Sequence, residues 1–333
     1  MRLIAHLTYR QAGDNMFVYV LLTSVVLLGI CLVLRHRFLK LPMCKSTAQL
    51  HGKTVIVTGS NSGIGKHTAL DLARRGARVI LACRDQQRAE TAVREIRMRC
   101  GNSEVMYMHL DLAKLQSVRS FAEDFLKREA RLDILINNAG IAIDGKTEDG
   151  FGMIFGVNHL GHFLLTLLLL ERLKECGPSR IVNVSSIGHR MASVDFNCLS
   201  THRDLSVGYS GVDVFSVYCQ SKLCNVLFTH ELAKRLVGTN VTCYSLHPGV
   251  IKTDIARHGG AVWRMIWLLL GLVFFADVES GAQTTLHCAL QEGIEPLSGR
   301  YFARCAVEEV GPKAKDDAAA KKLWELSEHF CGL

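Results

Sequence analysis

Several things are missing from this chain. No Pro/Gly/Ser-rich linker interrupts residues 53 to 301, and no internal repeat is visible. That excludes a string of small modules over this span and points to one domain. Charged residues make up only 21% against 49% hydrophobic, which excludes wholesale disorder and leaves enough apolar material for a large core. There is no long Lys/Arg block and no aromatic-basic ladder, so the formal charge of +8 does not describe a nucleic-acid binder. The excess reads instead as a surface facing partly a membrane and partly phosphate. Among the twelve cysteines there is no Cys-x-x-Cys pair. Cys83, Cys219, Cys243 and Cys288 fall inside apolar or helical patterns. Reduced thiols packed as small hydrophobes are therefore expected, with neither a disulfide framework nor a metal site.

What is present begins with an apolar run from Phe17 to Leu34 that carries no charge. At about 18 residues it reaches the lower bound for crossing a bilayer. Arg35, Arg37 and Lys40 follow it, while only Arg2 and Arg10 precede it. This asymmetry predicts an uncleaved anchor over 17–34 with the following domain in the cytosol. Residues 1–16 form a short leader and 35–52 a basic linker. The rival readings are a signal peptide or an organelle-targeting segment, and Met16 offers an alternative start. Two glycosylation sequons begin at Asn183 and Asn240; both fall in predicted core strands and are read as chance matches. A second apolar run, Met265 to Phe275, is about 11 residues and too short to span. It is open to three readings: a buried helix, a substrate lid or an interfacial helix on the membrane.

From Lys53 onward apolar runs alternate with helical patterns. The runs are Thr54–Val57, Arg78–Ala82, Val105–Leu110, Leu132–Ile136, Arg180–Val184 and Val241–Leu246. Helical patterns include Gly65–Arg75, Asp85–Arg99 and a terminal stretch from Lys313 to Phe330 within 311–333. Strands apolar on both faces and separated by helices predict an α/β fold, a doubly wound parallel sheet covered on both sides.

The first strand runs into Thr58-Gly-Ser-Asn-Ser-Gly-Ile-Gly65, which opens the first helix. Gly59 allows a tight turn, and Gly63 and Gly65 allow the backbone to approach a pyrophosphate at the helix N-terminus. Ser60, Asn61, Ser62 and Ile64 complete this cofactor-binding turn. The second strand ends in Ala82-Cys-Arg84. An acid there would favour NAD; a guanidinium suits a 2′-phosphate and favours NADP(H) over NAD(H). The alternative for Arg84 is a solvated arginine paired with Asp85. Asp111 either contacts the adenine amino group or caps the next helix.

Tyr218 and Lys222 are four apart and so share a helix face. A free tyrosine, with a pKa near 10, is a poor proton relay at neutral pH. A neighbouring ammonium and an oxidised nicotinamide ring would lower it. Tyr218 is thus assigned as general acid in reduction and general base in oxidation, and Lys222 as the group that tunes it and holds the ribose. Ser186 is expected to bond the substrate oxygen, so Ser186 and Tyr218 are the substrate-contacting pair. Asn158 is a candidate for holding a water that links Lys222 to solvent.

These residues, with Asn137-Asn-Ala-Gly140 and His247-Pro-Gly249 followed by Thr253, resemble the short-chain dehydrogenase/reductase superfamily over about Lys53 to Tyr301. The resemblance implies that Asn137–Gly140 stabilises the central sheet beside the cofactor. It also implies that Asn138, Ala139, Gly140 and Leu112 line the cofactor, and that Pro248, Gly249 and Thr253 close over the carboxamide. The anchor, the glycine turn through Lys66, Ala82-Cys-Arg84 and Asn158-His-Leu-Gly-His-Phe163 look like its microsomal retinol dehydrogenase branch. That implies an NADP(H)-preferring, membrane-bound enzyme, with its domain over 53–310, acting on retinoids or similar lipophilic carbonyls and alcohols. The endoplasmic reticulum is the expected membrane and the mitochondrial membrane the alternative. A steroid or other lipid ketone, or a nicotinamide-binding scaffold with vestigial catalysis, are the other functional readings. The insert 187–217 and the segment 255–276 are expected at the substrate mouth. Ser62 stands where many NADP(H)-binding members carry a basic residue, so phosphate recognition would lean on Arg84, with Ser60, Asn61 or Lys66 in support. The oligomeric state, a homo-oligomer included, is open.

Overall fold

The computed structural model describes residues 42–202, 211–249 and 277–333, together with positions 19, 22–26 and 29 of the N-terminal run. Most of the expected anchor, residues 203–210 of the insert, Thr253 and the segment 255–276 lie outside the described residues.

Eight strands form one sheet in the order β3-β2-β1-β4-β5-β6-β7-β8. They are β1 Thr54–Thr58, β2 Arg78–Cys83, β3 Val105–His109, β4 Ile134–Asn137, β5 Ser179–Val184, β6 Val241–His247, β7 Tyr301–Ala303 and β8 Ala306–Val307. β1 to β7 are parallel, and only β7 and β8 pair antiparallel. The helices are α1 Gly63–Arg74, α2 Gln86–Cys100, α3 Leu115–Arg128, α4 Met153–Glu175, α5 Phe196–His202, α6 Gly211–Arg235, α7 Val278–Leu290 and α8 Asp317–Cys331.

Successive strand residues point to opposite faces, and here both faces are apolar. Ile56, Ile80, Leu135 and Ile181 meet α3, α4, α6 and α8 on one side. Val55, Val57, Leu81, Ile136 and Val182 meet α1, α2 and α7 on the other. The expected doubly wound, three-layer architecture follows directly from that pattern. Among the described residues α4 is the one helix long and apolar enough to cross a membrane, but 78% of its apolar window is buried inside the protein, as in a core helix.

Several expected boundaries change. The first helix begins at Gly63, because Ser62 takes the extended N-cap conformation. β7 and β8 were not expected; three and two residues are too short to show a period. The terminal helix packs into the main core, with Trp324 edge-on to Phe163 at 5.0 Å and beneath the Arg235 guanidinium at 4.1 Å. Asn183 is buried, accepting from Asn137 and donating to Thr229 Oγ1. Asn240 is exposed in the turn before β6 rather than inside a strand. Cys83, Cys219, Cys243 and Cys288 are buried free thiols.

Candidate active site

Seven parallel strands bring their C-terminal ends to one side of the sheet, so every loop that leaves a strand opens there. Those loops carry the glycine turn, Arg84, Asp111, Asn138–Gly140, Ser186 and Pro248-Gly249.

In the glycine turn Gly59 has φ +62°, and a Cβ there would lie 2.9 Å from Ala139 Cα. Gly63 has φ +55°, and the place of its missing side chain is open space. Gly65 faces inward: a Cβ would lie 2.5 Å from Asn138 Nδ2 and 2.7 Å from Gly59 O. Gly65 therefore serves close packing of α1 on the sheet, whereas Gly63 is the glycine that leaves room for a ligand. Ser62 makes no side-chain cap and the first turn of α1 has no acid, so its free N–H groups and dipole are left for an anion.

The expected phosphate contacts divide. Arg84 is exposed and is not paired with Asp85, whose carboxylate caps α2 by accepting from Arg88 N at 3.0 Å. Ser60 is turned away: it is fully buried and donates to Val57 O at 2.7 Å. Lys66 is engaged by Glu95. Asn61, Ser62 and Ile64 remain partly exposed along the turn. Asp111 Oδ1 accepts from Ala113 N at 3.1 Å, closing a turn short of α3 rather than capping that helix. Leu112 is buried, its carbonyl against Gly161. An uncapped helix start and a glycine opening onto space fit the pyrophosphate of a dinucleotide, and Arg84, at the end of β2, has no carboxylate partner among the described residues.

The catalytic candidates converge on the adjacent loops. Ser186 lies two residues past the end of β5, at the start of the 3-10 turn Ile187–Met191, and accepts from Gly188 N at 3.2 Å. Tyr218 lies on α6. Burial pushes its hydroxyl up to about 12, against a hydrogen bond with Ser186 that pulls the other way. The expected tuning rested on Lys222 together with an oxidised nicotinamide ring; here the Ser186 bond alone opposes the effect of burial. Lys222 is buried, with Nζ donating to Val184 O at 3.0 Å and lying 5.7 Å from the Tyr218 ring centre. Desolvation lowers its pKa to about 8. A Cβ at Gly140 would sit 3.2 Å from Lys222 Nζ, so only glycine leaves the ammonium unobstructed there.

Asn158 sits in a π-helical turn, Gly156–Leu160, inside α4; such turns occur often at functional sites. Its side chain accepts from Ile141 N at 2.8 Å and donates to Ile141 O and Ser221 Oγ at 3.0 Å each. Both amide hydrogens of Asn158 are thus spent on protein, while Oδ1 keeps a second lone pair. Its role in the geometry is to tie the loop after Gly140 to α6.

Sequence reasoning passed over four residues that hold this arrangement. Thr58 Oγ1 accepts from Asn138 N and Ala139 N, both at 2.9 Å, and contacts His162 Nε2 at 2.9 Å. With two N–H groups already donating to it, that hydroxyl donates to His162, whose Nδ1–H then bonds Asn158 O at 3.2 Å. Ser185 Oγ donates to Lys222 O at 2.7 Å. His189 is buried, with Nδ1 2.7 Å from Ser186 O and its ring 4.7 Å from Tyr301. Thr58, His162 and Ser185 lay inside motifs already singled out, which was the available signal; His189 carried none.

The architecture and site define an oxidoreductase with a nicotinamide cofactor. Residues 53–201 match the family model described as short chain dehydrogenase. The chain is 52% identical over 309 residues to dehydrogenase/reductase SDR family member 13 of Bos taurus, covering 92% of this chain and 81% of that one. It is 50% identical over 293 residues to retinol dehydrogenase 12 of Homo sapiens, covering 87% and 90%. A solved structure of an uncharacterized protein from Mycobacterium Paratuberculosis superposes with a TM-score of 0.67 at 36% identity, covering 86% and 95%. The chain belongs to the short-chain dehydrogenase/reductase family and is an alcohol-acting dehydrogenase/reductase.

Proposed function

We propose that this chain is a membrane-anchored, NADP(H)-dependent oxidoreductase that interconverts retinal and retinol, or closely similar lipophilic aldehydes and alcohols, on the cytosolic face of the endoplasmic reticulum. The observation that carries this reading is the convergence of Ser186, Tyr218 and Lys222 beside an uncapped helix start and Arg84, in a chain about half identical to a retinol dehydrogenase. Exposed Ile187, Met191 and Phe215, on the elements that carry Ser186 and Tyr218, favour a lipophilic substrate. NADP(H) is favoured because Arg84 has no carboxylate partner among the described residues.

A nicotinamide bound here would supply or accept the hydride. Ser186 orients the substrate oxygen, and Tyr218 gives it a proton in reduction or removes one in oxidation. Lys222, with a lowered pKa, holds a proton close to release at neutral pH and helps the phenol recover its own. Asn158 and Ser221 keep α6 in register with the loop after β4. Gly59, Asn61, Ser62, Gly63, Arg84, Asn138, Ala139 and Gly140 would hold the dinucleotide.

The test supplies all-trans-retinal and NADPH to the purified chain in detergent, beside a Tyr218→Phe variant. Wild type is expected to turn over, and the variant to bind NADPH while losing at least about a hundredfold in rate. Bound NADPH with no turnover of any retinoid or medium-chain aldehyde would remove the substrate assignment.

A further inference from the structure

Pro42 and Met43, just past the expected anchor, dock at the active-site end of the sheet. β7 is parallel to β6, with His247 opposite Ala303, so the Arg304–Cys305 turn that follows it lies at the C-terminal ends of the strands. Cys305 Sγ donates to Pro42 O at 3.3 Å. From Pro42 the chain runs along α7 away from the tip: Cys44 N donates to Gln283 Oε1 at 3.0 Å, and Ser46 Oγ to Leu290 O, at the C-terminus of α7, at 3.0 Å. Pro42 and Met43 line a groove with Arg304, Val307 and Glu308. The chain therefore arrives beside the hairpin tip. The tip is two strands from β5, so it lies about 10 Å from the strand that leads into Ser186.

Seven residues, 35–41, separate the apolar run from Pro42, a reach of at most about 25 Å. The opposite end of the sheet is a further strand length away, about 20 Å. A leash this short keeps the hairpin end nearest the end of the run. The chemistry of that end suits an anionic bilayer. Met43 is 53% exposed, Met191 66% and Phe215 52%, and each lies on an element at this end. Arg304 is exposed with no acidic partner among the described residues, and Arg35, Arg37 and Lys40 lie between the apolar run and Pro42. Arg304 and Cys305 both have positive φ, 52° and 56°. That turn favours glycine, yet it carries a cation at its tip.

We propose that the C-terminal end of the sheet, rimmed by Met43, Met191, Phe215 and Arg304, lies against an anionic membrane surface, so that the substrate mouth opens towards the lipid. This deepens the membrane-anchored reading above and rests on it. Basic residues near an anionic surface attract it, and apolar side chains enter the headgroup boundary.

To test it, the full chain is reconstituted in vesicles of phosphatidylcholine and phosphatidylserine with a benzophenone amino acid in place of Met43, Met191 or Arg304. Met98 and Val237, exposed at the opposite end, serve as controls. Irradiation is expected to give lipid adducts at the first three and not at the controls. Adducts at Met98 or Val237, or protein-to-protein adducts at the rim, in chain that sediments with the vesicles would overturn the orientation while leaving the anchor intact. Chain that fails to sediment with vesicles overturns the anchor and the orientation together. Retinal turnover in detergent reports on the catalytic reading independently of both. As a second measurement, Arg304→Glu should raise KM for retinal dissolved in the vesicles about fivefold or more, with KM for a water-soluble aldehyde unchanged. An equal rise for both substrates would count against a lipid contact.

Discussion

Replacing Lys222 by methionine should make the protein more stable and inactive. The buried ammonium has a pKa lowered by desolvation from 10.5 to about 8. A folded-state pKa below the unfolded value means that the unfolded chain holds the proton more tightly. Wild type therefore loses stability as pH falls from 10.5 towards 8, and the full penalty applies below that. The displacement corresponds to about 3 kcal/mol. Methionine fills a similar volume without a charge. It gives up the bond from Nζ to Val184 O, worth about 1 kcal/mol, but that carbonyl keeps Asn225 Nδ2 at 3.4 Å. The net expectation is a gain of about 2 kcal/mol at neutral pH, shrinking towards zero or below as pH approaches 10.5. Equilibrium urea unfolding in detergent, without added cofactor, measures it at both ends of that range. A variant that is less stable at neutral pH would refute the reasoning, because Lys222 would then be a structural tie rather than a group kept at a cost for chemistry.

Two further outcomes are expected. Arg84→Asp should weaken NADPH binding by about ten- to a hundredfold, the worth of a charge-assisted contact, and leave NADH binding within a few-fold; equal losses in a fluorescence titration would take the phosphate from Arg84. His162 is buried and its pKa is lowered to about 3, so stability is full above pH 6.5 and falls as pH drops towards 3, by about 2 kcal/mol at pH 5; His162→Gln should flatten that acid limb, and an unchanged limb in melting curves at the two pH values would assign it elsewhere.

The six long strands, the glycine turn and the order of the catalytic motif were legible because each is written in local spacing. Apolar residues on both faces of Thr54–Thr58 and Ile134–Asn137 mark a covered parallel sheet wherever the partners lie. Tyr218 and Lys222 share a helix face by spacing alone. What could not be read was partnership across the chain. Ser60 and Lys66 look like phosphate ligands in a row of polar residues. Only the fold shows that one hydroxyl is spent on Val57 and one ammonium on Glu95. Asn158 was recognised, but its commitments to Ile141 and Ser221 depend on residues 17 and 63 positions away. The π turn that aims it has no period of its own.

The same limit explains why the site's rigidity was invisible in the sequence. Thr58, at the end of β1, holds Asn138 and Ala139 at the end of β4 and donates to His162 on α4, 104 positions on. His162 in turn bonds the carbonyl of Asn158, whose amide reaches Ser221 on the helix of Tyr218 and Lys222. A hydrogen-bonded path thus runs from the glycine turn to the catalytic helix through buried polar groups. Each of these groups would be costly if left unpaired, so a shift of α6 relative to β1 would break several bonds at once and is resisted strongly. Such a path fixes the distance between the place for the dinucleotide and the proton donor, the one quantity that hydride transfer and protonation must share. Core polarity here follows from that requirement. An all-apolar seam between β1, α4 and α6 would pack as well, yet it would let the helix slide.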